Sequence, residues 1–203
     1  MYKRQVQTLR GIENFRISKF HLNEYPLFIQ ALAITKMGAA VANRELDLLT
    51  EEQADAILKA CKEILEGKHH DQFPVDMIQG GAGTTTNMNA NEVIANRALE
   101  LMGHERGEYQ YCSPNDHVNC SQSTNDAYPT AIHIGMYFKH LQLLPHLEEL
   151  IASFRKKGEE FSQIIKMGRT QLEDAVPMTL GQTFNGFASI CLLYTSPSPR
   201  DAH

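Results

Sequence analysis

The sequence predicts a mainly α fold, because apolar residues recur at helical spacing, helix start and stop signals flank them, and few segments alternate like strands. From Tyr25 to Asn43, apolar side chains lie three and four positions apart, which is typical of a helix with one buried face. Thr50 and Gln53 have the spacing of a capping box, so a second helix is expected to begin there and to end at Gly67.

Four further helices are expected later in the chain. One runs from about Asn89 to Gly103, and a longer one runs from near Asn125 to about Leu144. Pro145 is expected to open the next helix, since proline is favoured at the first helical position. The segment KMGRTQLEDAVP is expected to be a loop, after which a final helix begins near Met178.

The final segment, LLYTSPSPRDAH, differs from the sequence before it. Ser-Pro-Ser-Pro cannot continue a helix, and the segment resembles a translated cloning or sequencing artefact. We therefore expect residues 192–203 to be a non-native tail. The chain before it is expected to be an N-terminal fragment whose last helix is cut short.

Composition and charge argue against several classes of partner. The 203 residues carry a net charge of -5 with no basic stripe, which argues against a nucleic-acid partner. No apolar stretch approaches the roughly 20 residues that span a bilayer, and the N-terminus lacks the apolar run of a signal peptide, so we expect no membrane partner and a cytoplasmic location. The four cysteines are widely spaced and match no zinc pattern, which favours free thiols.

Three polar segments are candidates for an anion site: GAGTTTNMN, SQSTND at residues 121–126, and GRTQ at residues 168–171. All three are rich in hydroxyl and amide groups, and the first two lead into predicted helices, whose N-termini favour anions. Together they would suit a small dicarboxylate. Helix capping would use the same residue types, so spacing alone leaves both interpretations open.

Other motifs give weaker signals. The glycine-rich run lacks the lysine of a phosphate-binding Walker loop. His69 and His70 are adjacent and do not share a helix face, so a solvated helix end is favoured over a metal site. His117 lies in a polar stretch, where binding an anion and capping a turn remain equal alternatives.

Three long segments, in chain order, resemble the signature regions of the fumarase/aspartase superfamily: GGAGTTTNMNANEVIANRALELMG, PNDHVNCSQSTNDAYPTAIHI and KMGRTQLEDAVPMTLGQTF. The resemblance extends over residues 8–190. Fumarases usually contain QTGSGTQ before NMN, whereas this chain contains QGGAGTT. Fumarases also usually have His after the Thr of GRT, whereas this chain has Gln171. The chain therefore resembles the aspartase branch more than the fumarase branch.

The resemblance implies reversible elimination of ammonia from L-aspartate to give fumarate through an enediolate, with no organic cofactor. Metal activation occurs in the superfamily, but no sequence segment is typical of a metal site. Two alternatives remain: a fumarase on the same scaffold, and a catalytically inactive fragment.

The resemblance also implies particular residue roles. Thr84, Ser123 and Thr124 would be catalytic, because they bind the carboxylate that becomes the enediolate. Asn125 would contact the substrate near its amino group, while Thr170 and Gln171 would hold the other carboxylate and the ammonium region.

The superfamily organisation implies an N-terminal domain over residues 1–123 and the start of a long-helix bundle over residues 124–191. The complete protein would be a homotetramer with each site built from three subunits. The loop pattern GSSxMPxKxNP, which supplies the serine base in the superfamily, is absent from this sequence. We therefore expect the 203-residue chain to be inactive by itself.

Overall fold

The computed structural model describes residues 6–195, with side chains described up to Leu192. It is dominated by helices, which confirms the mainly α prediction. The helices are α1 Val6–Asn14, α2 Pro26–Glu45, α3 Glu51–Leu65, α4 Thr84–Leu101, α5 Thr124–Glu160 and α6 Leu180–Thr195, and the strands are β1 Ile165–Thr170 and β2 Glu173–Thr179. The part of the predicted tail from residue 196 onward lies outside the described residues.

The chain divides into two compact units, residues 1–138 and residues 139–203, with α5 passing from one to the other. The domain boundary predicted after Ser123 coincides with the start of α5 and stays a prediction. None of the helices described combines the length and the apolar character that a membrane crossing requires.

Helix α4 lies at the centre of the first unit, and its buried residues include Val93, Ile94 and Leu99. Ile29 of α2 and Ile57 of α3 are fully buried in the same core. Burial of each such side chain stabilises the fold by about 1.5–3 kcal/mol. This core therefore holds the first turn of α4 in a fixed place.

Local sequence signals explain α3. Thr50 Oγ1 accepts a hydrogen bond from the Gln53 amide at 3.2 Å, and Gln53 Oε1 accepts one from the Thr50 amide at 3.1 Å. The capping box predicted from the sequence is thus confirmed. Gly67 follows the helix with φ of +86°, a conformation that glycine adopts without steric cost.

Long-range contacts attach α1 to α4. Glu92 accepts hydrogen bonds from the backbone amides of Gln7 and Thr8, at 2.9 and 3.0 Å, and from the Thr8 hydroxyl at 2.6 Å. Gly11 faces Thr85 so closely that a Cβ at residue 11 would overlap with the Thr85 methyl group. The N-terminal turn of α4 therefore has a packed neighbour on the α1 side.

Two element predictions were wrong. Pro145 does not open a new helix, since α5 continues through it from Thr124 to Glu160. A proline inside a helix removes one backbone hydrogen bond, but the helix does not have to end there. The segment predicted as a loop after residue 165 instead contains β1 and β2, which pair antiparallel with a register shift between Met167 and Arg169.

The second unit contains this hairpin and α6. Phe154 of α5 contacts Phe184 and Phe187 of α6, with ring centroids 6.2 and 5.6 Å apart. The hairpin turn consists of Gln171 and Leu172, both in the left-handed region with φ of +51° and +67°. Leu172 is 94% exposed, so the turn extends into solvent within this unit.

Candidate anion-binding site

The glycine-rich segment ends where α4 begins. Gly83 precedes the helix with φ of +84°, and Thr84 is the first helical residue. The predicted start near Asn89 was therefore late by more than one turn. The three threonines form the first turn of α4, in which Thr84 is exposed, Thr85 half-buried and Thr86 buried.

Gln79 caps the first turn of α4 from outside the helix. Its Oε1 accepts a hydrogen bond from the Thr86 amide at 2.8 Å, and its Nε2 donates to the Thr86 hydroxyl at 2.7 Å. The same Nε2 donates to the Asp76 carbonyl at 3.1 Å. The cap lies seven residues before its target, which is too far for the usual capping-box pattern to detect.

Asp76 fixes the segment before this cap. Its carboxylate accepts hydrogen bonds from the amides of Ile17, Ser18 and Ile78 and from the Ser18 hydroxyl, at 2.6–2.9 Å. Burial acts to raise the pKa of Asp76, but the hydrogen bonds from Ser18, Ile78 and Ile17 outweigh burial and lower this pKa to about 2. Asp76 therefore stays ionised and holds the loop in place.

Ser123 and Asp126 cap the first turn of α5. Ser123 Oγ accepts a hydrogen bond from the Asn125 amide at 3.1 Å, and Asp126 Oδ2 accepts one from the Ser123 amide at 2.9 Å. Capping thus occupies one acceptor position of the Ser123 hydroxyl, whose proton remains available to donate. The side chains of Ser123 and Asn125 are exposed.

Thr124 is joined to α4 by Asn87. Asn87 Nδ2 donates to Thr124 Oγ1 at 3.2 Å and to Asn119 Oδ1 at 3.0 Å. Because a hydroxyl carries one proton, the Thr124 oxygen accepts from Asn87 while its proton can point elsewhere. No acceptor for that proton is found among residues 6–195.

A lysine lies beneath this segment. Lys36 is fully buried, and its Nζ donates to Asn119 Oδ1 at 3.0 Å and to Gln122 Oε1 at 2.9 Å. Asn119 Oδ1 also accepts from Asn91 Nδ2 at 3.2 Å. Burial lowers the pKa of Lys36 to about 7, and the nearby Cys61 opposes this shift.

An open groove of about 520 Å³ lies beside the two helix starts. Its walls come from residues 77–83 and from the first turns of α5, including Asn125, Tyr128 and Ile132. Asn125 is the predicted site residue that lines it. The groove lining is mostly apolar, so the feature that favours an anion is the partial positive charge at the starts of α4 and α5 beside it.

The structure brings four of the predicted site residues into one region of the first unit: Thr84, Ser123, Thr124 and Asn125. The other two, Thr170 and Gln171, belong to the second unit. Thr170 ends β1 opposite Glu173, and Gln171 starts the turn; both side chains are exposed.

His69, His70 and His117 have structural partners in the first unit. His117 Nδ1 accepts a hydrogen bond from the Ser113 amide at 2.7 Å, inside the single π-helical turn Pro114–Val118. His69 Nε2 lies 2.9 Å from Glu63 Oε2, and His70 Nε2 lies 2.8 Å from the Ile64 carbonyl. Within residues 6–195, no group of three or more His, Cys, Asp or Glu side chains is arranged to hold a metal ion.

The sequence reasoning missed Lys36, Asn87 and Asn119. Lys36 lies within the apolar pattern of α2, where a lone lysine usually marks an exposed edge. Its partners are 83 and 86 residues away along the chain. The sequence feature that could have indicated Asn87 is the high density of amide side chains in NMNAN, residues 87–91.

The fold and this region define a mainly helical protein with a candidate anion site at two helix starts. A protein-family model described as "Lyase" matches residues 2–192. The chain belongs to this lyase family, which agrees with the resemblance to the fumarase/aspartase superfamily.

Three curated relatives are each called aspartate ammonia-lyase. The Pseudomonas fluorescens protein is 59% identical over 184 residues, which is 91% of this chain and 38% of that protein. The proteins of Helicobacter pylori strain J99 and Escherichia coli K12 are 58% and 55% identical over 90% of this chain. The chain thus spans 38% to 39% of the length of these relatives.

Two solved structures are similar to the chain. A fumarate lyase:delta crystallin from Brucella melitensis has a TM-score of 0.87 and 52% identity, over 96% of this chain and 44% of that chain. A class II fumarase from Schistosoma mansoni has a TM-score of 0.81 and 38% identity, over 95% and 40% of the respective chains.

Proposed function

We propose that the chain is part of an aspartate ammonia-lyase, which removes ammonia from L-aspartate to give fumarate. The observation that carries the proposal is the Thr124 hydroxyl, which accepts from Asn87 and keeps its proton for an acceptor at the N-terminus of α5. The identity of 55–60% to proteins called aspartate ammonia-lyase supports the choice of reaction.

The chemistry explains why such donors matter. The base removes a weakly acidic proton from the Cβ of aspartate, and negative charge accumulates on the adjacent carboxylate as an enediolate. Thr84, Ser123 and Thr124 would donate hydrogen bonds to that carboxylate. Preorganised donors of this kind are worth about 2.7–4 kcal/mol each in the transition state. Ammonia then leaves from Cα.

The remaining contacts belong to the same proposal. Asn125, which lines the groove, would lie near the amino group of the substrate. Thr170 and Gln171 would hold the second carboxylate and the ammonium region. Because these two residues are exposed in the second unit, they are available to a site built from several subunits of a cytoplasmic homotetramer.

The base would come from outside this sequence. The pattern GSSxMPxKxNP does not occur in residues 1–203. We propose that the chain by itself releases no fumarate from L-aspartate. Measurable fumarate from the purified chain alone would disprove this part of the proposal.

A hybrid enzyme tests the reaction itself. Residues 8–190 would replace the matching segment of the Pseudomonas fluorescens relative, and the ultraviolet absorbance of fumarate would be followed with L-aspartate or L-malate as substrate. We expect fumarate from L-aspartate alone. Fumarate from L-malate would favour the fumarase alternative, and none from either substrate would favour a chain that has lost the chemistry.

A further inference from the structure

Lys36 is a buried lysine whose hydrogen-bond partners lie in the segment that leads into α5. Its side chain is completely inaccessible, and its two hydrogen-bond acceptors are neutral amide oxygens, of Asn119 and Gln122. No carboxylate among the described residues lies within salt-bridge distance of Nζ. A buried ammonium group without an anionic partner destabilises a fold, so a lysine in this place needs another explanation.

The partners of Lys36 belong to the segment that leads into α5. Asn119 Nδ2 donates to the Gln122 carbonyl at 2.9 Å, and Gln122 Nε2 donates to the Val118 and Cys120 carbonyls at 2.9 and 3.1 Å. The lysine therefore holds both side chains that fold this segment. Thr124 follows Gln122 by two residues.

A second connection runs from the lysine through Asn119 to Asn87. Asn119 Oδ1 accepts from Lys36 and from Asn87, and Asn87 Nδ2 also donates to Thr124 Oγ1. Asn87 is 1% exposed, and its Oδ1 has no hydrogen-bond partner, so its amide orientation depends on the donors and acceptors around Asn119. This second connection ends at the Thr124 hydroxyl, whereas the first ends at Gln122, two residues before Thr124.

We propose that Lys36 is a positioning residue for the anion site: it holds Asn119 and Gln122, and through them the segment that presents Thr124. This inference rests on the proposed function for the identity of the anion.

Amide hydrogen exchange on this chain tests the positioning role. In Lys36→Met, which keeps the apolar part of the side chain, we expect the amides of residues 119–126 to exchange at least about 10-fold faster. We expect the amides of α3 to change by less than about threefold, because local opening does not require global unfolding. Lys62→Met, on the exposed face of α3, is the matched control.

Two results would overturn the proposal. Unchanged exchange over residues 119–126 would show that Lys36 does not hold the segment. Equally faster exchange throughout residues 6–138 would show a general role in stability instead. If Lys36→Met does not fold, Lys36→Gln replaces it, because this variant also removes the lysine contact and leaves the bonds of Gln122 to the Val118 and Cys120 carbonyls in place. The same local pattern is expected.

Addition of succinate separates this inference from the proposed function. Succinate is a dicarboxylate without an amino group, and we expect it to slow exchange over residues 119–126 in the hybrid enzyme but not in the hybrid that carries Lys36→Met. A hybrid enzyme that does not respond to succinate would count against the proposed carboxylate site. The comparison without succinate would then still decide the role of Lys36.

Discussion

Gly83 and the ring of Tyr128 lie so close together that a Cβ at residue 83 would overlap with the ring carbons. Gly83 precedes α4, and Tyr128 is in the second turn of α5. The ring also packs edge-on against Phe28, with centroids 5.7 Å apart, so it has little room to move aside. This contact sets how closely the starts of α4 and α5 approach each other.

The first prediction concerns this contact. Gly83→Ala adds a methyl group against the Tyr128 ring and also forces alanine into a left-handed conformation, which alone costs roughly 1–2 kcal/mol. We expect the free energy of unfolding to fall by about 2–5 kcal/mol in total, since overpacking adds about 1–3 kcal/mol. Urea denaturation measures this change.

Gly103→Ala is the matched control for Gly83→Ala. Gly103 has a nearly identical φ of +82°, but nothing lies within 4 Å of a Cβ built there. The free energy of unfolding of this variant should fall only by the roughly 1–2 kcal/mol that the left-handed conformation costs. If both variants lose the same free energy, the contact with Tyr128 does not constrain the two helices.

The second prediction concerns Thr124. In the hybrid enzyme, Thr124→Ala should lower kcat by roughly 100-fold or more, because it removes one donor to the developing enediolate. Thr130→Ala removes an exposed hydroxyl that bonds to the Asp126 carbonyl, and it should leave kcat nearly unchanged. A loss of less than about threefold in Thr124→Ala would remove Thr124 from this role.

Asp76 should make stability depend on acid pH. Its pKa in the folded chain is about 2, below the ordinary value of 3.8, so its contribution is complete above about pH 4 and is lost as the pH falls toward 2. The difference in unfolding free energy between wild type and Asp76→Asn should therefore shrink between pH 4 and pH 2. Asp55→Asn, at an exposed position, should show a smaller pH dependence; equal curves would refute the assignment.

Lys36 should make stability depend on pH between neutral and alkaline values. Its pKa falls from 10.5 to about 7 on folding, so between these values the unfolded chain binds a proton that the folded chain does not. Stability then rises with pH, by up to about 1.4 kcal/mol per pH unit. We expect the difference in unfolding free energy, wild type minus Lys36→Met, to increase from pH 7 to pH 9.

This comparison has a simple control. Burial raises the pKa of the neighbouring Cys61 thiol to about 12, and this thiol interacts with Lys36, so both chains should carry Cys61→Ala to remove its titration from the difference. Lys62→Met should give a difference that does not change with pH. A flat difference for Lys36→Met as well would mean that the buried lysine is not neutralised on folding.

Local signals explain which parts of the fold the sequence predicted. The capping box at Thr50 and Gln53 acts over three residues, so reading along the chain detects it. The start of α4 depends on Gln79, which caps Thr86 across a glycine-rich loop, and no local pattern indicates this. The hairpin was missed because most side chains of its strands are exposed and regular apolar alternation does not extend along β1 or β2.

In the candidate site too, local motifs were predicted from the sequence but long-range contacts were not. Thr84, Ser123, Thr124 and Asn125 were named because their motifs resemble those of a known superfamily, and all four lie at the starts of α4 and α5. The contacts that orient them involve residues tens of positions apart, such as Asn87 and Thr124. Such contacts follow from the packing of α2, α4 and α5, which periodicity alone does not specify.

In the hairpin turn, the residues that would give the most stable fold differ from the residues that we propose bind the substrate. Two successive residues with positive φ form the kind of turn in which Asn-Gly is preferred, yet this chain has Gln171 and Leu172 there. Replacing them with Asn-Gly should make the hairpin more stable. The same replacement would shorten the side chain at residue 171 by one methylene group and so withdraw the amide that we propose holds the substrate. Selection of this turn for thermostability alone would therefore weaken the binding of aspartate in the proposed site.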